Sequence, residues 1–234
     1  MNYSLSRLSN IPWRALPAWL IGDRLRILMY HSIADDPMDS HAISLAEFER
    51  QMLSLQAKNV VSLAKGLELL NEGCSLKNTW VITFDDALLD FYTSAFPVIR
   101  KFNHPVTMFV PTGMVGGKAS WDSFDKSKSL MSWEQLEECQ QWNVSFGSHT
   151  VHHAALTECA DETLRDELTV SLQMLRARLT NILPALAYPG GFQDLRVRLA
   201  AQKAGYACAV GVSSRWGNGA ESDLMQLRRE RFRQ

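Results

Sequence analysis

Short apolar runs rich in β-branched residues alternate with longer amphipathic stretches along the whole chain. The runs at 27–31, 60–62, 80–84, 106–110, 144–147, 185–188 and 206–210 are almost continuously hydrophobic, as strands covered on both faces are. Between them the period lengthens. From Asp161 to Leu179, leucines recur at 164, 168, 172, 175 and 179 with charged residues between, which predicts an amphipathic helix whose leucines are core. A further helix is expected over 88–102, and Ser44-Leu45-Ala46-Glu47 and Ser132-Trp133-Glu134-Gln135 both read as capping boxes at helix starts. Strand and helix patterns in alternation predict βα units, an α/β fold and a parallel sheet. Seven strand candidates suit a distorted parallel (β/α) barrel better than an open sheet, although periodicity by itself does not reveal closure.

The 234-residue length fits one domain, taken here as 27–234 behind an N-terminal arm at 1–26. A composition of 46% hydrophobic and 21% charged residues supplies a sizeable core. A net charge of -1 without a long basic run argues against nucleic acid as a partner and against a polyanionic substrate. The four cysteines form no CxxC pair, so buried thiols are expected rather than a sulfur zinc site or a redox pair. Arg7, Pro12, Arg14 and Pro17 interrupt every candidate signal-peptide core, and no stretch is long enough to span a bilayer. A cytoplasmic location follows as the expectation. Trp13 and Trp19, beside Arg14 and Leu20, give the arm a composition suited to peripheral membrane contact. Its two prolines favour an arm packed across the domain instead.

Chemistry enters at the strand ends. The run 80–84 stops at Asp85-Asp86, and two carboxylates there need a cation or a shared proton unless they are exposed or cap the helix that follows. Directly after 144–147 comes Ser148-His149-Thr150-Val151-His152-His153, with three of the chain's six histidines. His149 and His153 stand four apart, so a turn brings both imidazoles within reach of one metal, while His152 points elsewhere. Two histidines and one carboxylate compose a catalytic zinc-type site, and the other aspartate is then free to act as a base. Thr150 occupies the position where a zincin helix requires glutamate, which disfavours a metalloprotease. A third strand ends in Tyr188-Pro189-Gly190-Gly191, where a bare backbone N–H faces an oxyanion or the residues simply form a tight turn.

Together these segments resemble the polysaccharide deacetylase family, the carbohydrate esterases built on the NodB homology domain. Thr83-Phe84-Asp85-Asp86 is similar to the family's TFDD motif, and His149 to His153 to its H[ST]xxH motif. Tyr30-His31 in the first strand and Phe48 to Met52 in the helix after it extend the likeness from about residue 27 to the end of the chain. The resemblance implies a distorted barrel of about seven βα units. It further implies Asp85 as general base, Asp86, His149 and His153 as metal ligands, Thr150 bracing the site, and Tyr188, Pro189 and Gly190 at the substrate, with the Gly190 N–H in the oxyanion hole. Zn2+ is the default ion, with Co2+ or Ni2+ acceptable to the same donors. The implied substrate is an acylated amino sugar of a polysaccharide or of its lipid- or nucleotide-linked precursor.

Three departures stand out. Ala87 replaces the glycine that usually follows the paired aspartates, and Ala187 stands where the family's RxPYG motif has the arginine that orients the base. The chain's last residues, Leu227 to Gln234, lack the late leucine-x-histidine motif that supplies the acid. His31 is the leading replacement, balanced by a loop-positioning role. His41 and His104 fall in loops and are not favoured. Trp121, Trp133 and Trp142 are candidates for stacking on sugar rings, the last two being helical and more in keeping with core. Two alternatives follow from the departures and from the bond at stake: a catalytically weak barrel that binds carbohydrate as a scaffold, and an O-acetyl esterase or deformylase using the same site.

Overall fold

The computed structural model describes residues 23–36, 39–121, 128–212 and 217–232. Most of the proposed arm, including the segment 11–20 considered for membrane contact, lies outside them. Its last residues belong to the barrel: Leu25 is fully buried and exchanges backbone hydrogen bonds of 2.8 Å with Asn218. Leu25 packs in the same buried cluster as Ile27 and Val81. No helix among the described residues is long and apolar enough to cross a membrane.

The strands are β1 (Arg26–Tyr30), β2 (Ser32–Ile33), β3 (Ala42–Ile43), β4 (Asn59–Val60), β5 (Thr79–Phe84), β6 (Val106–Val110), β7 (Val144–Ser148), β8 (Ile182–Ala187) and β9 (Cys208–Val210). The helices are α1 (Leu45–Leu55), α2 (Leu63–Asn71), α3 (Phe96–Phe102), α4 (Trp133–Cys139), α5 (Asp161–Arg178) and α6 (Leu195–Ala204). One parallel sheet runs β1-β5-β6-β7-β8-β9, with β4 added beside β5, and β2 pairs with β3 apart from it. The chain after β9 returns at 227–230 and fills the gap between the sheet's edges. Leu227 bridges Val210 and Glu230 bridges Leu28, both parallel, so the last strand and the first are joined and neither edge is left unpaired. The architecture is the expected α/β barrel.

Alternation along the strands sorts its layers. Ile27, Val81, Phe109, Ala185, Ala187, Val210 and Leu227 form one buried cluster with Leu63, Leu67 and Leu70 of α2, which fills the barrel interior from below. Their neighbours Leu28, Tyr30, Ile82, Phe84 and Met108 pack outward on Phe48 and Met52 of α1 and on Ile99 of α3. On the other flank Leu186 and Ala209 meet the leucines of α5 and Val197 of α6.

Local departures have local causes. Ser132 makes a complete capping box, whereas Ser44 accepts the Glu47 N–H without the reciprocal bond because the Glu47 carboxylate is taken by Arg50 and Gln51. The helix expected over 88–102 opens with a π turn at Phe91–Ala95 before α3, since Pro97 has no N–H to continue the regular ladder. The last strand starts at Cys208 and not at Tyr206, whose hydroxyl instead donates to the Leu168 carbonyl at 2.8 Å. Of the thiols, Cys139 and Cys208 are buried, Cys159 is half-buried and Cys74 is exposed.

Candidate active site

The inward positions of β5 are Val81 and Thr83, and the next in that series is Asp85, 3% exposed. A carboxylate so deeply buried needs a cation. Arg229, 1% exposed, supplies it from the closing segment: its Nη1 lies 2.6 Å from Oδ1 and its Nη2 2.7 Å from Oδ2, a bidentate pair. The guanidinium also donates to Thr83 Oγ1 at 3.1 Å and to the Gly211 carbonyl at 3.2 Å, so its plane is fixed. Burial alone would raise the pKa of Asp85, but the charge and hydrogen bonds of Arg229 outweigh it and hold the group below the ordinary carboxylate range. Sequence reasoning missed Arg229. Its trace is the alternation of buried Leu227 and Arg229 with half-buried Arg228 and Glu230, the mark of a strand hidden in a charged run. The absence of an arginine at position 187 is thus made good from another strand.

Asp86 and Ala87 both have left-handed backbones, with φ of 72° and 52°. Each such residue costs on the order of 1 kcal/mol, and the reversal they produce lets two successive carboxylates serve different partners. Asp86 Oδ1 is buried and accepts no hydrogen bond. Facing it are Nε2 of His149 at 3.4 Å and Nε2 of His153 at 3.5 Å. Nδ1 of His149 lies 2.8 Å from the Ala187 carbonyl, which makes Nδ1 the donor and turns Nε2 inward. Burial and the neighbouring His149 push His153 down to about 4, so its ring is neutral at pH 7 and has a lone pair to offer. One donor atom from each of Asp86, His149 and His153 lies within 4.8 Å of the others. A divalent cation fits this set, since it gives the orphaned oxygen a partner and matches the donors of a catalytic zinc-type site. His152 turns away, toward Glu167 at 2.7 Å.

Asp86 and His153 open on a cleft of about 160 Å³, which Gly190, His31 and Trp121 also line, while His149 stays buried behind them. His31 follows β1, with Nε2 3.7 Å from Asp85 Oδ2. Burial lowers its pKa against the opposing pull of Asp85 and Asp86. His41, set aside from sequence as a loop residue, lines the same cleft with its ring 5.0 Å from that of His31. His104 does not, being buried with Nε2 3.0 Å from the Met52 carbonyl. Trp121 lies flat on the His153 ring, 4.3 Å between centroids at 17°. Trp133 and Trp142 are away from the cleft, the first against the core and the second exposed beneath the Arg100 guanidinium. Gly190 has a φ of 63°, a left-handed backbone that favours glycine, and a Cβ placed on it would also push the exposed Phe192 ring aside. Its N–H has no partner among the described residues.

Two residues expected at the substrate, Tyr188 and Pro189, stand behind the cleft wall instead, as does Thr150. Tyr188 is 1% exposed and its hydroxyl donates to the Met225 carbonyl at 2.8 Å, because the last position of a strand end still alternates and this one points outward into the α5–α6 layer. Pro189 is buried beneath the glycine turn. Thr150 is fully buried and braces its own turn, taking the Ala154 N–H on Oγ1 at 3.3 Å.

The model of the polysaccharide deacetylase family matches residues 72–209. YxkH of Bacillus subtilis (strain 168), a protein named for that family, is 28% identical over 199 residues, covering 82% of this chain and 67% of its own length. The poly-beta-1,6-N-acetyl-D-glucosamine N-deacetylase of Staphylococcus aureus (strain MSSA476) is 23% identical over 181 residues, which are 73% of this chain; the match spans only 61% of that enzyme's length. Among solved structures, the Streptococcus pyogenes deacetylase PplD in complex with acetate superposes with a TM-score of 0.77 at 25% identity, over 90% of this chain and 93% of PplD. IcaB from Ammonifex degensii shares the fold with a TM-score of 0.77 at 24% identity, over 91% and 93% of the two chains.

Proposed function

The chain belongs to the polysaccharide deacetylase family, and from that footing we propose that it is a metal-dependent hydrolase removing acetyl groups from the nitrogen of amino sugars, in a polysaccharide or in its lipid- or nucleotide-linked precursor. The observation that carries this reading is the meeting of Asp86, His149 and His153 around an orphaned buried oxygen, with Asp85 next in sequence and held separately. The staphylococcal relative, by its name an N-deacetylase of poly-N-acetylglucosamine, and the acetate in PplD support the choice of bond.

Asp86, His149 and His153 would hold the ion, Zn2+ by donor type with Co2+ or Ni2+ tolerated. When bound, it supplies Lewis acidity and lowers the pKa of water from about 16 toward neutrality. Asp85, ionised and oriented by Arg229, accepts the proton of the attacking water. The Gly190 N–H donates to the oxyanion that develops on the acetyl carbonyl. His31, open to the cleft with Nε2 3.7 Å from Asp85 Oδ2, takes the proton that Asp85 has accepted from water and passes it to the departing amine. Pro189, Tyr188 and Thr150 act indirectly, by fixing the turns that present Gly190 and the two imidazoles.

The test is acetate release from N-acetylglucosamine oligomers, with O-acetylated and N-formylated sugars in the same panel. Asp85→Asn should lower release by about 10²–10⁴-fold. Equal release by wild type and variant would remove Asp85 as base, while tight Zn2+ binding without release from any sugar would favour the scaffold alternative. Arg229 weakens that alternative, because the missing motif arginine was one of its two motives.

A further inference from the structure

The inner face of α5 is apolar at Leu164, Leu168, Leu172 and Leu175, yet Glu167 and Ser171 share it, 6% and 0% exposed. The two stand four residues apart, one above the other on the helix. Both reach the turn after β7 that carries His149 and His153, and they grip it at different points.

Glu167 Oε2 accepts the N–H groups of Val151 and His152, each at 2.9 Å, and Oε1 takes Nδ1 of His152 at 2.7 Å. Ser171 donates its hydroxyl to the Thr150 carbonyl at 3.0 Å. Its single proton is then spent, so the 2.7 Å contact with Ser148 Oγ must be a bond given by Ser148, whose oxygen in turn accepts the Thr150 N–H at 3.0 Å. Every polar group from Thr150 to His152 that faces α5 is engaged by these two side chains or by Ser148. A leucine helix that served packing alone has no use for a buried carboxylate, which is costly to desolvate unless its partners need it.

The turn does need holding. Thr150 and His153 have φ of 67° and 57°, left-handed conformations that are uncommon outside glycine and that a β-branched residue such as Thr150 avoids most. These left-handed residues bring His153 back beside His149, with ring centroids 4.7 Å apart and the planes nearly perpendicular. The chain after β6 holds the carbonyl side of the turn, where the Thr112 and Gly113 N–H groups donate to Thr150 and Val151 at 3.0 and 2.8 Å, and α5 holds the N–H side.

We propose that Glu167 and Ser171 form a two-point clamp on α5 that presets the spacing of the His149 and His153 imidazoles for a divalent cation. They are positioning residues and touch neither ion nor sugar. The inference rests on reading Asp86, His149 and His153 as a cation site.

Full-length protein tests it through Zn2+ affinity, measured by competition with a chromogenic chelator, beside the thermal midpoint of the metal-free form. Glu167→Ala should weaken Zn2+ binding by about 10-fold, the lower end of what losing a direct partner of a ligand costs, because Glu167 acts through the backbone beside the ligands, and Ser171→Ala by a few-fold. Glu167→Gln keeps one oxygen for the two N–H groups and should recover much of the affinity. The visible spectrum of the Co2+ form should broaden in Glu167→Ala and return toward wild type in Glu167→Gln, a signature that a role in general stability does not predict. Should Glu167→Ala fail to fold, Ser171→Ala and Glu167→Gln carry the comparison. Zn2+ affinities within about twofold of wild type in all folded variants would overturn the clamp. Failure of the wild type itself to bind Zn2+ would overturn the cation reading beneath it, a separate result.

Discussion

Replacing Arg229 with methionine takes away both guanidinium hydrogen bonds that hold the Asp85 carboxylate and leaves it 3% exposed, with only the imidazoles of His149 and His31 as nearby bases among the described residues. Breaking a buried ion pair from one side costs about 3–5 kcal/mol, whereas replacing both partners by uncharged groups of similar size is close to neutral. The double variant Asp85→Asn with Arg229→Met should therefore regain most of what Arg229→Met loses, giving a coupling of about 3 kcal/mol in the cycle. Urea unfolding of the metal-free wild type, the two single variants and the double variant measures it. The pH dependence has a definite sign. In the wild type the Asp85 pKa lies below its unfolded value, so the stabilisation it brings is complete above the ordinary carboxylate range and fades as pH falls through the lowered native value. In Arg229→Met burial acts without its main opponent and the pKa rises, so that the carboxyl protonates sooner as pH falls. The stability gap between wild type and variant should then narrow from pH 7 toward pH 4, while the acidic limb of kcat/KM moves to higher pH. Loss of orientation should lower kcat/KM itself by about 10²-fold. Additive single variants, with coupling under about 1 kcal/mol, or a gap that does not change with pH, would refute the assignment of Arg229 as the partner that keeps Asp85 ionised.

Gly190→Ala adds a methyl 2.6 Å from the Phe192 ring on a backbone with φ of 63°; displacement of its N–H should lower kcat by about 10²–10³-fold with Zn2+ affinity intact, and steady-state kinetics showing an unchanged kcat would deny it a place in the oxyanion hole. His31→Asn should lower amide hydrolysis by about 10²-fold or more yet leave hydrolysis of 4-nitrophenyl acetate, whose leaving group needs no proton, much less affected; equal losses on both substrates would count against its role as acid.

What the sequence makes legible is what lies close together along the chain. Asp85 and Asp86 terminate a recognisable apolar run, and His149 and His153 share one turn, so their chemistry can be read from spacing. Arg229 meets Asp85 from 144 positions away, in a segment whose outward charges conceal its strand character. Glu167 and Ser171 are hidden differently, as two polar letters in a leucine repeat that reads as core. Tyr188 shows the opposite error: being beside Gly190 in sequence says nothing of direction, and in a strand end its side chain faces the other way. His41 is set aside from sequence because loops carry no period, and only folding places it beside His31.

The seam where the barrel closes is also where the base acquires its counter-charge. The three proposed ion donors all lie at or before residue 153, whereas the guanidinium paired with Asp85 belongs to the segment that joins β9 to β1. A change that loosens this seam would therefore reach the Asp85 pair while leaving the spacing of the donors to other parts of the fold.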